Sequence, residues 1–429
     1  MVTNTSSNEF ALWSIFLSIN SFLLLMDFGY GAVFSRFVMY AYSGSKSIIK
    51  PEIVENKNTA SSSNYYLMSM IIISAQKVYS KLIKLSFIIL CILTLYIIYI
   101  IWKDSSDISY LKSITSWIVF AISILVTISS MKDAAIMKGL NKVYELQEIT
   151  IINSILIMVS KVILLIMNFG ILGLSISSLL TVILLKIQYK RKLSGLYTEI
   201  SEVMKLSKRN FDKEFITEFK FINEKSKGMG GMLISQFLQT QFIIFLLPLF
   251  LNLKTISEFT LSYQLITTIS ALASILFSVY YIKLGNSIIT KNIKSSKNIY
   301  SKTFSSFTII YSILSIALIM FGDTILNIIG SNLNILPFSE LSALLLYVYV
   351  YQIVQRSTSI ISLSNNQKFV TSLIICSIIS SIGLVVLLLI KVNFVGVLIW
   401  MIVVQILYNF WKWIFESYKI CFDLNISKS

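Results

Sequence analysis

The stretch NEFALWSIFLSINSFLLLMDFGYGAVFSR, residues 8–36, decides how the rest of the chain is read. It is an apolar helix candidate with a carboxylate, Asp27, in its far half, followed by Gly29, Gly31 and then Arg36. An acid inside a bilayer costs about 2.5–3.5 kcal/mol on insertion scales, so it needs a partner, a water-filled cavity or a function. Outward from this stretch, further apolar runs recur to the end of the chain. Each is long enough to cross about 30 Å of hydrocarbon at about 1.5 Å per residue.

Hydrophobic residues make up 56% of the 429 positions and charged ones 13%, against about 25% charge in a soluble domain. The chain therefore reads as an all-α, polytopic membrane protein, with no segment left over for a soluble catalytic domain and no enzyme expected. The formal charge of +16 is assigned to lysines that mark cytoplasmic loops rather than to nucleic acid, which is not an expected partner. Cys91, Cys376 and Cys421 form no CxxC pair and read as inert buried thiols; histidine is absent. Neither a metal nor a cofactor is expected.

About eleven spans are read: 10–34, 82–102, 114–137, 147–167, 170–187, 229–251, 258–283, 303–328, 338–361, 369–391 and 394–415. The connections after the first, third, fifth and seventh are rich in Lys and Arg and the others are poor in them, which places the C-terminus inside and Met1 outside. The 43–80 loop, rich in Ser, Asn and Lys, reads as a mobile connector. An internal repeat accompanies this pattern. Glu9-Phe10-x-Leu12 recurs as Glu258-Phe259-x-Leu261, Lys132 and Asn141 share their spacing with Arg356 and Asn365, and Asn168-Phe169 matches Asn393-Phe394. The expected organisation is an N-terminal bundle at 1–187, a cytoplasmic linker with a surface helix at 188–228, and a C-terminal bundle at 229–429. A full span precedes the Glu-Phe element only in the second copy, so five spans plus six are expected, with a first helix missing.

Polar residues inside the spans sort into stripes at helical spacing. These are Asn20, Asp27 and Gly31; Thr150, Ser154 and Lys161; Ser235, Gln236, Gln239 and Thr240; Gln264, Thr267 and Thr268; and Gln352, Gln355, Arg356 and Ser359. Facing lipid they would be costly, so they are expected to point into a bundle or a cavity, either as helix-to-helix glue or as lining. Lys161 has snorkelling as its alternative, and Arg36 and Lys132 have headgroup anchoring. Arg356 continues a polar stripe and takes the repeat position of Lys132, so the two would present a pair of cations in the cytoplasmic half of a central cavity. Asp27-Phe28-Gly29 spells the kinase magnesium tripeptide, but no glycine-rich nucleotide loop accompanies it, and Gly29-x-Gly31 follows no strand. The glycines instead loosen the helix.

At Glu9-Phe10-x-Leu12-Trp13, at Leu25 to Gly31 and at Phe34-Ser35-Arg36, the chain resembles the polysaccharide flippases of the multidrug/oligosaccharidyl-lipid/polysaccharide (MOP) exporter superfamily. The likeness is strongest to O-antigen flippases of the Wzx type, whose second helix carries such an Asp-Phe-Gly and ends near a Phe-Ser-Arg. The resemblance implies two pseudo-symmetric helical bundles (MATE/MOP-like) around a central cavity in a bacterial cytoplasmic (inner) membrane. The implied substrate is a polyprenyl-pyrophosphate-linked oligosaccharide, an O-antigen or capsule repeat unit. The implied partners are that lipid-linked oligosaccharide, membrane lipids and polysaccharide polymerase machinery. Arg36, Lys132, Arg356 and, more weakly, Lys161 are then candidates to hold pyrophosphate. Gln236, Gln239, Gln352 and Gln355 would line the cavity, while Asp27 with Asn20 would serve in coupling or in an ion pair. The alternative is a membrane-embedded glycosyltransferase or O-antigen polymerase, which needs a sizeable outside loop where this chain has short ones. A cation-coupled drug exporter fits the fold but not the basic residues inside the spans. Leu276 stands at the repeat position of Asp27, so the two copies differ in charge.

Overall fold

The computed structural model describes residues 5–45, 47, 64–103, 109–206, 222, 230–331, 333–363 and 368–422, with backbone alone at 199–206 and 289. Asn365 of the repeat, most of the 43–64 connector and most of the 207–228 part of the linker lie outside the described residues. Fifteen helices are described and no strand is found among the described residues: α1 (Ser7–Leu24), α2 (Tyr30–Tyr42), α3 (Tyr65–Lys103), α4 (Tyr110–Gly139), α5 (Val143–Ile166), α6 (Gly170–Leu206), α7 (Gly230–Thr240), α8 (Phe242–Leu246), α9 (Leu253–Ala273), α10 (Ile275–Ile289), α11 (Ile293–Ile328), α12 (Phe338–Leu363), α13 (Phe369–Leu389), α14 (Phe394–Gln405) and α15 (Trp411–Phe422). Eight helices, or ten when each of two bent pairs counts as one span, are long and apolar enough to cross a membrane. To these α12 adds 26 residues whose Glu340, Gln352, Gln355, Arg356 and tyrosines make it more polar. The protein is an all-α, polytopic membrane protein.

Several expected boundaries shift. The span expected at 10–34 is not one helix. α1 ends at Leu24, a tight turn covers Leu25–Asp27, Phe28 and Gly29 take left-handed backbone at φ 44° and 78°, and α2 restarts at Tyr30. Asn20, Asp27 and Gly31 therefore do not share one continuous helical stripe, because the break changes the rotation between them. The expected 43–80 connector is helical from Tyr65, since Leu67 to Ala75 is apolar and buried along most of its length; the lysines at 77, 81 and 84 had masked it. The pair α7–α8 bends by 61° and α9–α10 by 44°, the latter at the single residue Ser274. The last span runs on to Phe422 through a π-helical turn at Ile406–Phe410.

The chain forms two compact units, one chiefly of Phe16–Ile234 and the other chiefly of Ser6–Ile15 and Ser235–Ser429. In the first, α4 lies against α2, α3 and α6, and α5 packs on α6. Phe16 meets Trp117 at a tilt at 5.0 Å and stacks on Phe120 at 5.7 Å, and the Trp117 indole N–H donates to Thr94 Oγ1 at 2.9 Å. Gly139 brings α4 close to α2: an added Cβ would meet Val38 Cβ at 2.5 Å and the Ser35 carbonyl at 2.6 Å. Along α5, Ile151, Ile155, Met158, Val162, Ile163 and Ile166 are exposed, as a lipid-facing surface should be. In the second unit α12 lies against α9, α14 and α15. Val354 and Ile361 of α12 pack with Phe369, Leu373 and Trp413. Among the described residues, four helix hairpins close on a left-handed residue other than glycine: Asn141, Asn168, Lys291 and Lys391. The spans that Glu9-Phe10 and Glu258-Phe259 open are each broken in their second half, at Asp27–Gly29 in one and at Ser274 in the other.

Candidate functional site

Each break is held by a polar side chain, and the two holds differ in sign. In the first unit Asp27 accepts the N–H of Gly31 at 3.1 Å, capping the new helix α2, and accepts the hydroxyl of Tyr79 from α3. A carboxylate at a helix start is favoured by the helix dipole and by the orphan N–H groups there. Asn20, one helix earlier, is half-buried.

In the second unit the hold comes from Arg356. It is 3% exposed. One terminal nitrogen donates to the Gln352 carbonyl at 3.0 Å, and the other donates to Ser274 Oγ at the break. Ser274 in turn donates to the Ser270 carbonyl. The guanidinium carbon lies 3.2 Å from the centroid of the Phe307 ring and 6.0 Å from that of Phe277. Stacking on a desolvated ring contributes about 2 kcal/mol, but the Arg356 Nε atom is buried without a hydrogen-bond partner. No carboxylate pairs with Arg356 among the described residues.

The other expected cations sit differently. Arg36 is exposed on α2. Lys132 is part of an α4–α6 cluster that the sequence reading did not assemble. Asp133, 2% exposed, accepts from Tyr197 at 2.6 Å and lies 3.5 Å from the Lys132 ammonium, which also sits 5.6 Å from the centroid of the Tyr197 ring. One turn away, Lys186 donates to Ser129 Oγ at 2.7 Å. Asp133 stands beside Lys132 in the chain, which was the available signal; Tyr197 looked like a loop residue because the fifth span was expected to end at 187, whereas α6 runs on to Leu206. Lys161 is half-buried on α5, whose Thr150 and Ser154 hydroxyls turn back to their own helix at Leu146 and Thr150.

The glutamines divide. Gln236 is exposed, while Gln239 is buried and reaches the Leu373 carbonyl of α13 at 3.5 Å beside Ser235, which reaches the same carbonyl at 2.9 Å. Ser235 and Gln239 join helices. Gln352 and Gln355 stay half-buried, beside Arg356 on one face of α12. Cys376 and Cys421 are buried free thiols, but Cys91, expected to be buried, is exposed on the outer face of α3. No group of three or more acidic, cysteine or histidine side chains among the described residues is placed to hold a metal ion.

No protein-family model matches the chain, and no curated protein matches it in sequence. A solved structure described as the inward-facing conformation of a multidrug resistance MATE family transporter of the MOP superfamily does match it in fold. The TM-score is 0.59, at 12% identity, over 98% of this chain and 96% of that one. At such identity the likeness is one of fold, and it runs nearly end to end: the chain shares the helical fold of that transporter.

Proposed function

We propose that this protein is a flippase that carries polyprenyl-pyrophosphate-linked oligosaccharide across a bacterial cytoplasmic membrane by alternating access. The observation that carries this reading is Arg356, a fully buried guanidinium with no acidic partner among the described residues and its Nε hydrogen unspent. A buried cation left uncompensated is expensive unless an anion visits it. A planar fork of donors matches a pyrophosphate better than an ammonium does. Arg36, which is exposed, and Lys132, which is partly so, are assigned to meeting the headgroup as it enters and leaves. Lys161 is a weaker candidate for the same role. Gln352, Gln355 and Gln236 offer amides to sugar hydroxyls, and Gln239 belongs to the frame behind them. Asp27, with Asn20, is assigned to coupling. Partners follow from the substrate: the lipid-linked oligosaccharide, the surrounding lipids and the machinery that polymerises the repeat unit.

A second reading, export of organic cations, has Asp27 in its favour, since a half-buried carboxylate at a helix break suits a cationic cargo. Proteoliposomes loaded with a fluorescent polyprenyl-pyrophosphate oligosaccharide, quenched from outside, separate the two. The expected result is movement between leaflets by the wild type and a loss of about tenfold in Arg356→Ala, equivalent to about 1.4 kcal/mol, with Arg356→Lys in between. Wild-type vesicles no faster than empty ones, together with uptake of organic cations, would replace this reading with the second.

A further inference from the structure

We propose that the lysine-rich end of α6 carries a site for an anionic phospholipid of the surrounding bilayer, with Lys186 and Lys190 on its phosphate. This goes beyond the transport reading and does not rest on it. Leu180, Ile183, Leu184 and Ile187 are exposed and recur at spacings of three and four, so they form one apolar face of α6 turned to lipid. Lys190 and Arg191, both exposed, continue that face directly. The rise from Leu180 to Lys190 is about 15 Å at about 1.5 Å per residue, roughly half of the hydrocarbon thickness. The face is therefore as long as one leaflet is deep, and acyl chains lying along it bring their headgroup to the lysines.

The second, independent observation is the charge balance at that end. Lys186 donates to Ser129 Oγ of α4 at 2.7 Å, and it stands within electrostatic reach of Lys190 and Lys132 as well as of Asp133. The carboxylates nearby are already engaged: Asp133 by Tyr197 and Lys132, and Glu145 by Lys192 at 3.5 Å. Glu148 is exposed on α5. Neither Lys186 nor Lys190 makes an ion pair among the described residues. Like charges four apart on one helix face repel. A phosphate between them removes that repulsion and accepts the hydrogens that the two ammonium groups have left. A soluble anion would meet the charge but not the apolar face that leads to it, whereas a phospholipid matches both. Because Lys186 is tied to α4 through Ser129, the bound headgroup braces α6 against α4.

The test uses the whole protein in dodecyl maltoside micelles, with native mass spectrometry following the lipid bound as dioleoyl phosphatidylglycerol or, separately, dioleoyl phosphatidylcholine is added. The expected result is saturable binding of phosphatidylglycerol, about tenfold or more tighter than that of phosphatidylcholine with the same chains. The double variant Lys186→Gln with Lys190→Gln weakens phosphatidylglycerol binding by about tenfold, whereas Lys297→Gln with Lys302→Gln, which removes the same charge from α11, leaves it within about twofold. Monodispersity and helical circular dichroism establish that each variant is folded. The wild-type comparison needs no variant at all: equal affinity for the two lipids overturns the site. Unchanged binding by the folded α6 pair overturns it too, and so does an equal loss in the α11 pair, which would make the effect one of net charge. Farnesyl pyrophosphate is then added as competitor. Phosphatidylglycerol that stays bound supports a resident lipid, and its displacement at equal concentration assigns these lysines to a prenyl pyrophosphate and overturns the proposal.

Discussion

Among the described residues, Asp133 is the carboxylate that the chain buries, and Tyr197 is what makes that burial tolerable. A hydrogen bond to a charged group contributes about 1.5–3 kcal/mol, and Lys132, its neighbour in the chain, reaches the same oxygen only at 3.5 Å. Tyr197→Phe is therefore expected to destabilise the first unit by about 1.5–3 kcal/mol, read as a lowered unfolding midpoint in micelles; an unchanged midpoint would mean that Lys132 suffices alone. At this scale the sequence was legible where polarity interrupts an apolar run. Arg356, Asp27 and Gln239 each stood out, and each is engaged with a neighbouring helix or a helix break. Ser274, Phe307 and Tyr79 were not legible. A serine, a phenylalanine and a tyrosine are ordinary in an apolar span, and they acquire their roles only from what faces them across the bundle.

Helices α1 and α9 both break midway, yet only one break is written in local sequence. Phe28-Gly29 supplies a glycine for the left-handed turn, whereas the segment around Ser274 holds neither glycine nor proline. Its bend coincides with a tertiary contact, Ser274 with Arg356 from α12, which no reading of a single helix would reveal. Elsewhere local chemistry is legible but not optimal. The hairpins closed by Asn141 and Asn168 use a residue suited to left-handed backbone, while those closed by Lys291 and Lys391 at φ 55° and 57° do not. Lys391→Gly is expected to raise stability by about 0.5–1 kcal/mol, measured by chemical unfolding; a fall would show that the lysine stem packs usefully. The opposite sign is expected at Gly139. A methyl there would press on the Ser35 carbonyl, which is backbone and yields little, so Gly139→Ala should cost about 1–3 kcal/mol and loosen α4 from α2.

Over the whole molecule the two spans that open with Glu-Phe are both broken and differ in charge, with a carboxylate at one break and a guanidinium at the other. The unequal spread of lysines along the chain makes a prediction about orientation that can be read by labelling. With single cysteines introduced at Lys142, Lys291 and Lys254, a membrane-impermeant maleimide added outside intact cells is expected to react only at Lys254→Cys. Reaction at Lys142→Cys or Lys291→Cys would invert the arrangement. The overall fold was legible because hydropathy and charge bias need no tertiary context. The polar clusters were only partly so, since α6 carries Tyr197 beyond the point where its apolar run ends and brings it back to α4.

The Asp27–Tyr79 contact also sets an order of assembly. Tyr79 lies 52 residues after the carboxylate that it serves, so during synthesis this span emerges with its acid held only by the local Gly31 N–H, well before α3 exists. Until then the span is a poor candidate for release into lipid, and its natural course is to wait beside the insertion machinery and leave together with α3. Ser274 and Arg356 arrive in the reverse sense, the break first and the charge 82 residues later; α9 and α10 can enter the bilayer without a charged residue at the break, and their bend becomes fixed only when α12 joins them.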